Sequence, residues 1–193
     1  MISFDMNQFA DGSKARRADQ KQWAEEMDVQ NSASSQTVSI VSTSENEEID
    51  GLGFLNRIKA GQRPPPAMMV LLGMDIAEIE RGRVVFEAVP TAAHYNPAGA
   101  VHGGFAATLL DSCMTCAVQS TLKAGLACTT IDLNIHYTRG ANDKSGVLRA
   151  EGKVVHVGRQ IATAEGRVTD PQGRVIAHAT TSCLIFPMRP TGA

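Results

Sequence analysis

Apolar positions recur with a helical spacing in one part of the chain and with a strand spacing in others. Between Leu52 and Gly61 they follow the period of an amphipathic helix. Three consecutive prolines, Pro64 to Pro66, then predict an extended segment. Two strands are predicted next, over Gly73 to Glu80 and Arg83 to Val89, because the two residues between them are typical of a turn.

A long segment, Gly103 to Leu122, predicts a second helix that is apolar on almost every side, and such a helix is buried. Strands joined by short turns are antiparallel. The pattern therefore predicts an α+β protein in which an antiparallel sheet of five to six strands surrounds one long central α-helix. The four strands predicted after the helix are Thr129 to Arg139, Gly146 to Val157, Gln160 to Thr169 and Val175 to Pro187.

The first 50 residues differ from the rest in charge. They carry ten acidic residues against four basic ones, whereas the net charge of the whole chain is −2, so the remainder is mildly basic. Serine and threonine are frequent between Asn31 and Asn46, and too few bulky apolar residues lie there to offset the entropy of ordering. We therefore expect a flexible acidic arm over Met1 to Glu48 and one folded domain over Ile49 to Ala193.

The composition excludes several classes of protein. With 18 basic and 20 acidic residues in 193, the chain is not a generally basic nucleic-acid binder. No apolar run reaches the roughly 18 residues of a membrane span, and the first residues lack the pattern of a secretory signal. We therefore expect a cytoplasmic protein without a nucleic-acid or membrane partner. The four cysteines lack the spacing of a zinc site, so we expect free thiols and no metal site.

Two glycines, Gly103 and Gly104, open the long helix. A helix N-terminus presents unpaired N–H groups, and glycine lets another molecule approach the backbone closely. Such a site holds an anion or a carbonyl oxygen that becomes an oxyanion. Tight packing is the alternative explanation of the glycine pair. His102 either fixes the loop by a hydrogen bond or, with Asn96, orients a carbonyl.

Asp111 lies inside the otherwise apolar helix. A carboxylate is unfavourable there unless it is paired or takes part in chemistry. General base, nucleophile and structural hydrogen-bond acceptor are its candidate roles. Asp111 follows Gly103 by eight residues, which is about 12 Å along a helix. One carbonyl cannot contact both groups of one chain, so a reaction that uses both requires a site shared by two subunits.

The segment Thr129 to Arg139 alternates between polar and apolar residues. One side of the strand is predicted to carry the apolar residues Ile131, Leu133, Ile135 and Tyr137. The opposite side is predicted to carry Thr130, Asp132, Asn134, His136 and Thr138. We expect part of the polar side to lie at an interface or to line a site. Thr130 is the candidate there for orienting a carboxylate or a water.

The pattern Asn96-x-x-Gly99-x-x-His102-Gly103-Gly104, followed by Asp111, resembles the signature of hotdog-fold acyl-CoA thioesterases of the phenylacetyl-CoA (PaaI-like) type. The strand from Thr130 to Tyr137 and the turn from His156 to Arg159 resemble that family too, and the similarity covers Leu52 to Met188. It implies the hotdog fold, in which an antiparallel sheet wraps around a long helix. It also implies a dimer whose sheets join edge to edge, commonly paired into tetramers.

The resemblance implies roles for individual residues. Asp111 is then the general base or nucleophile, and the backbone N–H of Gly103 polarises the thioester carbonyl. Asn96 and His102 shape that site, and Thr130 helps to position water.

On the substrate side, the resemblance implies contacts at Gly104 and at two arginines, Arg139 and Arg159, which face the CoA phosphates. The implied reaction is hydrolysis of an acyl-CoA thioester to a free carboxylic acid and CoA, with no cofactor. One alternative is a non-catalytic acyl-CoA sensor or scaffold, and a second is an acyl-CoA hydratase or dehydratase on the same fold. The spacing from His102 to Asp111 favours the thioesterase over the hydratase.

Overall fold

The computed structural model describes residues 49–188, which contain three α-helices, one short 3₁₀ helix and six strands. The predicted arm, Met1 to Glu48, lies outside the described residues. The helices are α1 (Gly51–Lys59), α2 (Ala67–Leu72) and α3 (Gly103–Gln119), with the 3₁₀ helix at Ala92–His94. The strands are β1 (Met74–Glu80), β2 (Arg83–Ala88), β3 (Leu126–Tyr137), β4 (Leu148–Val157), β5 (Ile161–Thr169) and β6 (Val175–Pro187).

The predicted first helix is confirmed as α1, and a short helix that was not predicted follows it. Asp50 caps α1, because its Oδ1 accepts a hydrogen bond of 2.8 Å from the N–H of Gly53. The proline run is extended, as predicted, but Pro66 then leads directly into α2. Gly73, with a φ of 58°, ends α2 in the left-handed conformation that glycine favours. Six residues are too few to show a helical period in the sequence.

All six strands form one antiparallel sheet in the order β1-β2-β4-β5-β6-β3. This arrangement, with α3 packed against the sheet, confirms the predicted α+β class and the hotdog fold. β1 and β3 are the edge strands. β3 pairs with β6 from Leu126, opposite Pro187, to Tyr137, opposite Ala177. The other edge of β3 has no strand partner within residues 49–188.

One face of α3 is buried against the sheet. β4 approaches the helix so closely that a Cβ added at Gly152 would lie 2.5 Å from the backbone carbonyl of Cys113, so only glycine fits there. The opposite stripe of the helix, which includes Asp111 and Thr115, is only half-buried. The prediction that α3 is buried on every side is therefore wrong for this stripe. The buried residues are Phe105, Ala106, Leu109, Leu110, Cys113, Met114, Ala117 and Val118.

The helix also ends earlier than predicted, at Gln119 instead of Leu122. The next residue, Ser120, is fully buried. Its hydroxyl donates to the carbonyl of Ala117 at 2.7 Å and accepts from the N–H of Gly82 at 2.8 Å. These side-chain bonds replace the helical pattern and tie the helix end to the turn between β1 and β2.

A bulge in β3 changes which of its residues face the helix. The pairing with β6 shifts by one residue between Thr130 and Asp132. Ile131 is the extra residue, and it is 55% exposed. Thr130 contacts Asp111 of α3, and Leu133 packs on the core. The predicted alternation is therefore wrong here, because Thr130 and Leu133 lie on the same side of the strand and Ile131 does not.

Candidate active site

His102 caps the N-terminus of α3. Its ring Nδ1 accepts a hydrogen bond of 2.9 Å from the N–H of Gly104, and its carbonyl accepts one of 3.0 Å from the N–H of Phe105. Gly103 is the first helical residue, and its N–H has no acceptor within residues 49–188. The helix dipole adds positive character at this end. The start of α3 thus presents an unused donor, the N–H of Gly103, that can bind an oxygen atom of a ligand.

Asn96 holds the loop that leads to this helix. Its side-chain oxygen accepts hydrogen bonds from the N–H groups of Ala98 at 2.9 Å and Ala100 at 3.2 Å. Gly99 has a φ of 77°, a conformation that glycine adopts without strain. These features fix the conformation of the loop over residues 96–100, which leads into the start of α3.

A pocket of about 390 Å³ opens at the helix start. Asn96, His102, Gly103 and Arg139, all predicted as site residues, line it, whereas Gly104 and Arg159 do not. Arg159 is exposed in the turn between β4 and β5. The other lining residues are Ala100, Val101, Ala106, Tyr137, Thr138, Gly140, Ala141, Leu148 and Ile176. The wall is therefore mostly apolar, with a few polar groups at the helix start and one arginine.

Asp111 belongs to a second group of residues, in the middle of α3. Its Oδ1 accepts a hydrogen bond of 2.6 Å from the hydroxyl of Thr130. That hydroxyl also lies 2.7 Å from Thr115 Oγ1. No basic side chain within residues 49–188 forms an ion pair with Asp111. Asp111 is thus a half-buried carboxylate that is oriented by a hydroxyl and not neutralised by a neighbouring charge.

The two groups lie apart on one continuous helix. Gly103 begins α3 and Asp111 follows it by eight residues, which corresponds to about 12 Å along the axis. The pocket at the helix start does not include Asp111 or Thr130. The structure therefore brings Asp111 together with Thr130, and Gly103 together with His102, but it does not bring the two pairs together within one chain.

Two residues of these groups have no predicted role. Thr115 lies four residues after Asp111, so the helical period places both on one side of the helix, and that spacing is a signal in the sequence. Tyr137 donates a hydrogen bond of 3.1 Å from its hydroxyl to the carbonyl of Gly103. No signal in the sequence points to this contact, because it joins residues 34 positions apart and Tyr137 simply continues the apolar alternation of Leu133 and Ile135.

The four cysteines are free thiols. Burial raises the pKa of Cys113, and it raises the pKa of Cys116 to about 12, helped by the charge of Asp111. Both therefore stay protonated near neutral pH. In the described part of the chain, no three His, Cys, Asp or Glu side chains are grouped so that they could hold a metal ion. Likewise, none of the helices described is long and apolar enough to cross a membrane.

Residues 98–177, which run from the loop before α3 into β6, match the thioesterase superfamily. The chain is also 43% identical over 84 residues to a candidate esterase of Halobacterium salinarum. That match covers 42% of this chain and 54% of the esterase, so the chain spans about half the length of this relative.

Two further matches cover more of the related protein. The chain is 30% identical over 107 residues to the proofreading thioesterase EntH of Klebsiella pneumoniae, a match that covers 55% of this chain and 77% of EntH. Among solved structures, a phenylacetic acid degradation-related protein of Ralstonia eutropha JMP134 superposes with a TM-score of 0.63 at 31% identity. That superposition covers 68% of this chain and 98% of the other. The chain therefore belongs to the thioesterase superfamily, a family of thioester-hydrolysing enzymes.

Proposed function

We propose that this protein hydrolyses an acyl-CoA thioester to a free carboxylic acid and CoA. The observation that carries this proposal is the carboxylate of Asp111, which is oriented by Thr130 of β3. It lies on α3, the helix whose first residue, Gly103, presents an unused N–H. Acyl transfer needs a base or nucleophile for the carbonyl carbon and a donor for the oxyanion. The likeness of the helix-start motif to acyl-CoA thioesterases supports CoA as the leaving group.

In this mechanism the Gly103 N–H binds the thioester oxygen and stabilises the negative charge that develops on it. Asp111 either takes a proton from the attacking water or attacks the carbonyl carbon itself to form a mixed anhydride, which water then hydrolyses. In both routes the CoA thiolate leaves and is protonated. Thr130 occupies Oδ1 of the carboxylate, so Oδ2 is the oxygen that acts.

The site is shared by two copies of the chain. An attacking atom and an oxyanion donor must both lie within about 3.5 Å of one carbonyl group. The separation of about 12 Å along α3 prevents Asp111 and Gly103 of one chain from meeting that condition. Asp111 of one subunit therefore acts with Gly103 of the other.

Strand β3 supports this arrangement because it is a 12-residue edge strand that offers unpaired backbone groups to a second copy. Thr130 contacts Asp111, and Tyr137 contacts Gly103. Because the bulge at Ile131 takes one residue out of the count, an antiparallel pairing of two β3 strands centred on Asn134 places Thr130 of each chain opposite Tyr137 of the other. One twofold contact thus completes two identical sites.

The half-buried stripe of α3 fits the same contact. Thr108, Asp111 and Thr115 recur at intervals of three and four residues on this stripe, which is the spacing of one helix face. A second copy paired through β3 brings its own α3 alongside and covers the stripe. On the substrate side, Arg139 at the pocket is the proposed contact of a CoA phosphate, with Arg159 as a second one from the turn between β4 and β5.

A panel of acetyl-, hexanoyl-, phenylacetyl- and benzoyl-CoA tests the proposal, with release of free CoA followed by a thiol-reactive dye. We expect turnover of at least one substrate by the wild type. Asp111→Asn, which keeps the shape of the side chain, should lower kcat by at least about a hundredfold. Asp75→Asn is the matched control, since Asp75 is an exposed carboxylate on the opposite edge strand.

Each other outcome has a defined meaning. Tight binding of acyl-CoA without turnover would indicate a sensor instead of an enzyme. Normal turnover by a folded Asp111→Asn protein would exclude this mechanism. After a single turnover in ¹⁸O-labelled water, label in the Asp111 side chain would identify the nucleophilic route with attack of water on the aspartyl carbon of the anhydride, because the general-base route leaves that side chain unlabelled.

A further inference from the structure

We propose that Tyr137 is a positioning residue, which holds the first peptide of α3 so that the N–H of Gly103 stays directed at the substrate carbonyl. This inference rests on the proposed function, because it concerns the donor that polarises the thioester. Tyr137 acts through the backbone of Gly103 and not on the reacting atoms.

The peptide between Gly103 and Gly104 is held at both of its polar groups. Its carbonyl accepts the hydrogen bond of 3.1 Å from the Tyr137 hydroxyl, and its N–H donates the bond of 2.9 Å to His102 Nδ1. Because a peptide group is planar, two fixed ends determine the orientation of the whole plane. The adjacent N–H, that of Gly103, is the one left without an acceptor within residues 49–188.

Such a restraint matters here because two glycines follow each other. Glycine has no Cβ to limit its backbone angles, so Gly103 and Gly104 have unusual freedom at the point where the donor must be fixed. A side chain from another element supplies the limit that these residues lack. Tyr137 is the last residue of β3, and the sheet holds its backbone through the pairing with Ala177.

The ring of Tyr137 lies directly beside the position where a side chain at residue 103 would begin. A Cβ at Gly103 would lie 3.0 Å from Cζ and 3.1 Å from the hydroxyl oxygen of Tyr137. A side chain at this position would therefore force the ring to move by a few tenths of an ångström. The same ring lines the pocket at the helix start, so its loss would also open the wall next to the donor.

Tyr137→Phe removes only the hydroxyl and tests the proposal. With the best substrate of the acyl-CoA panel, we expect kcat to fall about fivefold to tenfold, the range that one neutral hydrogen bond provides, while KM stays within about twofold. The matched control is Tyr95→Phe, the other tyrosine of the chain. Its hydroxyl contacts Asp143, to whose carboxylate it donates at 2.7 Å, and not the peptide between Gly103 and Gly104, so its removal should leave kcat unchanged.

A second measurement does not depend on activity. Backbone amide hydrogen exchange in the substrate-free protein should become faster in the peptide that spans residues 102–106 in Tyr137→Phe, with no such change in Tyr95→Phe. If no acyl-CoA is hydrolysed by the wild type, the proposed function fails, and this exchange alone decides the positioning role. If Tyr137→Phe does not fold, Gly103→Ala replaces it, because its Cβ displaces the ring, and the same kcat and exchange effects are expected.

An active enzyme whose kcat is unchanged in Tyr137→Phe would overturn the inference and leave the proposed function in place. Unchanged exchange over residues 102–106 would overturn it as well. An equal loss of kcat in Tyr95→Phe would have the same meaning, since the effect would then be a general one of removing a hydroxyl.

Discussion

Thr130 and Asp111 are joined by a hydrogen bond of 2.6 Å that crosses from the edge strand β3 to the central helix. The same hydroxyl lies 2.7 Å from Thr115 Oγ1, one helical turn beyond Asp111. The orientation of the carboxylate is therefore set by an element other than its own helix. This contact makes the strand part of the proposed catalytic machinery.

Thr130→Val keeps the shape of the side chain and removes this hydroxyl. We expect kcat to fall by about tenfold, because the carboxylate is then free to rotate away from the attacking position. Thr130→Ser should retain most activity, since the hydroxyl remains. Steady-state kinetics on the best acyl-CoA check both results. Thr129→Val, at the exposed neighbouring position, is the control, and a loss there equal to that of Thr130→Val would refute the contact's role.

Gly103→Pro tests the N–H donor directly. Proline suits the first position of a helix, and His102, with φ −61° and ψ 137°, already has the conformation that the residue before proline prefers. We expect kcat to fall by about a hundredfold or more through the loss of one oxyanion donor. Gly103→Ala is the matched control, because it adds the same Cβ beside Tyr137 and keeps the N–H. Equal activity of the two variants would show that the N–H of Gly103 does not act as an oxyanion donor.

Mixing two inactive variants tests whether the site is shared. A dimer of one Gly103→Pro chain and one Asp111→Asn chain has one site with both defects and one with neither. Random exchange of subunits gives half mixed dimers, so activity should recover to about a quarter of the wild-type value. Native mass spectrometry confirms that exchange has occurred. If mixed dimers form and activity stays absent, each site belongs to a single chain.

Asp170, in the turn between β5 and β6, gives a prediction about pH. Burial acts against its charge, but the backbone and side-chain N–H groups of Arg174, at 2.9 and 2.6 Å, and the N–H of Gln172 hold the pKa of its carboxyl below the usual value. A lowered pKa in the folded state stabilises the fold at neutral pH, and this contribution disappears as the pH falls through and below the ordinary aspartate value of 3.8.

Asp170→Asn should therefore lower the free energy of unfolding at pH 7, and the difference from the wild type should shrink as the pH is lowered below 4. Urea unfolding at a series of pH values measures it. Asp75→Asn, at an exposed carboxylate, should show no comparable difference. A pH-independent effect of Asp170→Asn would show that the charge is not its cause.

The main elements of this fold could be predicted from the sequence because their apolar periods are long. The 17 residues of α3 and the strands after it carry enough repeats to define their type. The six residues of α2 do not. The end of α3 was missed for another reason, since it depends on the hydroxyl of Ser120, which binds a turn 38 residues earlier in the chain.

Some residues of the candidate site could likewise be predicted from the sequence, and others could not. Gly103 and Asp111 stand out locally, one as a glycine at a helix start and the other as an acid among apolar residues. The partners of these residues do not, because Thr130 and Tyr137 reach the helix only after β3 has folded beside it. Long-range contacts of this kind leave no period in the sequence, and a single bulge was enough to reverse the predicted side of Thr130.

The bulge at Ile131 determines which face of β3 the residues before it occupy relative to those after it. Thr130 and Tyr137 are seven positions apart, and an odd interval places two residues on opposite faces of a regular strand. Both nevertheless reach α3, because the extra residue turns the odd interval into an even one. Removing Ile131 would leave Thr130 and Tyr137 six positions apart in a regular strand, so both contacts with α3 would remain. Inserting one more residue between them without a second bulge would instead turn one of the two side chains away from the helix. The contacts of β3 with α3 thus depend on the number of residues in the strand as well as on their identity.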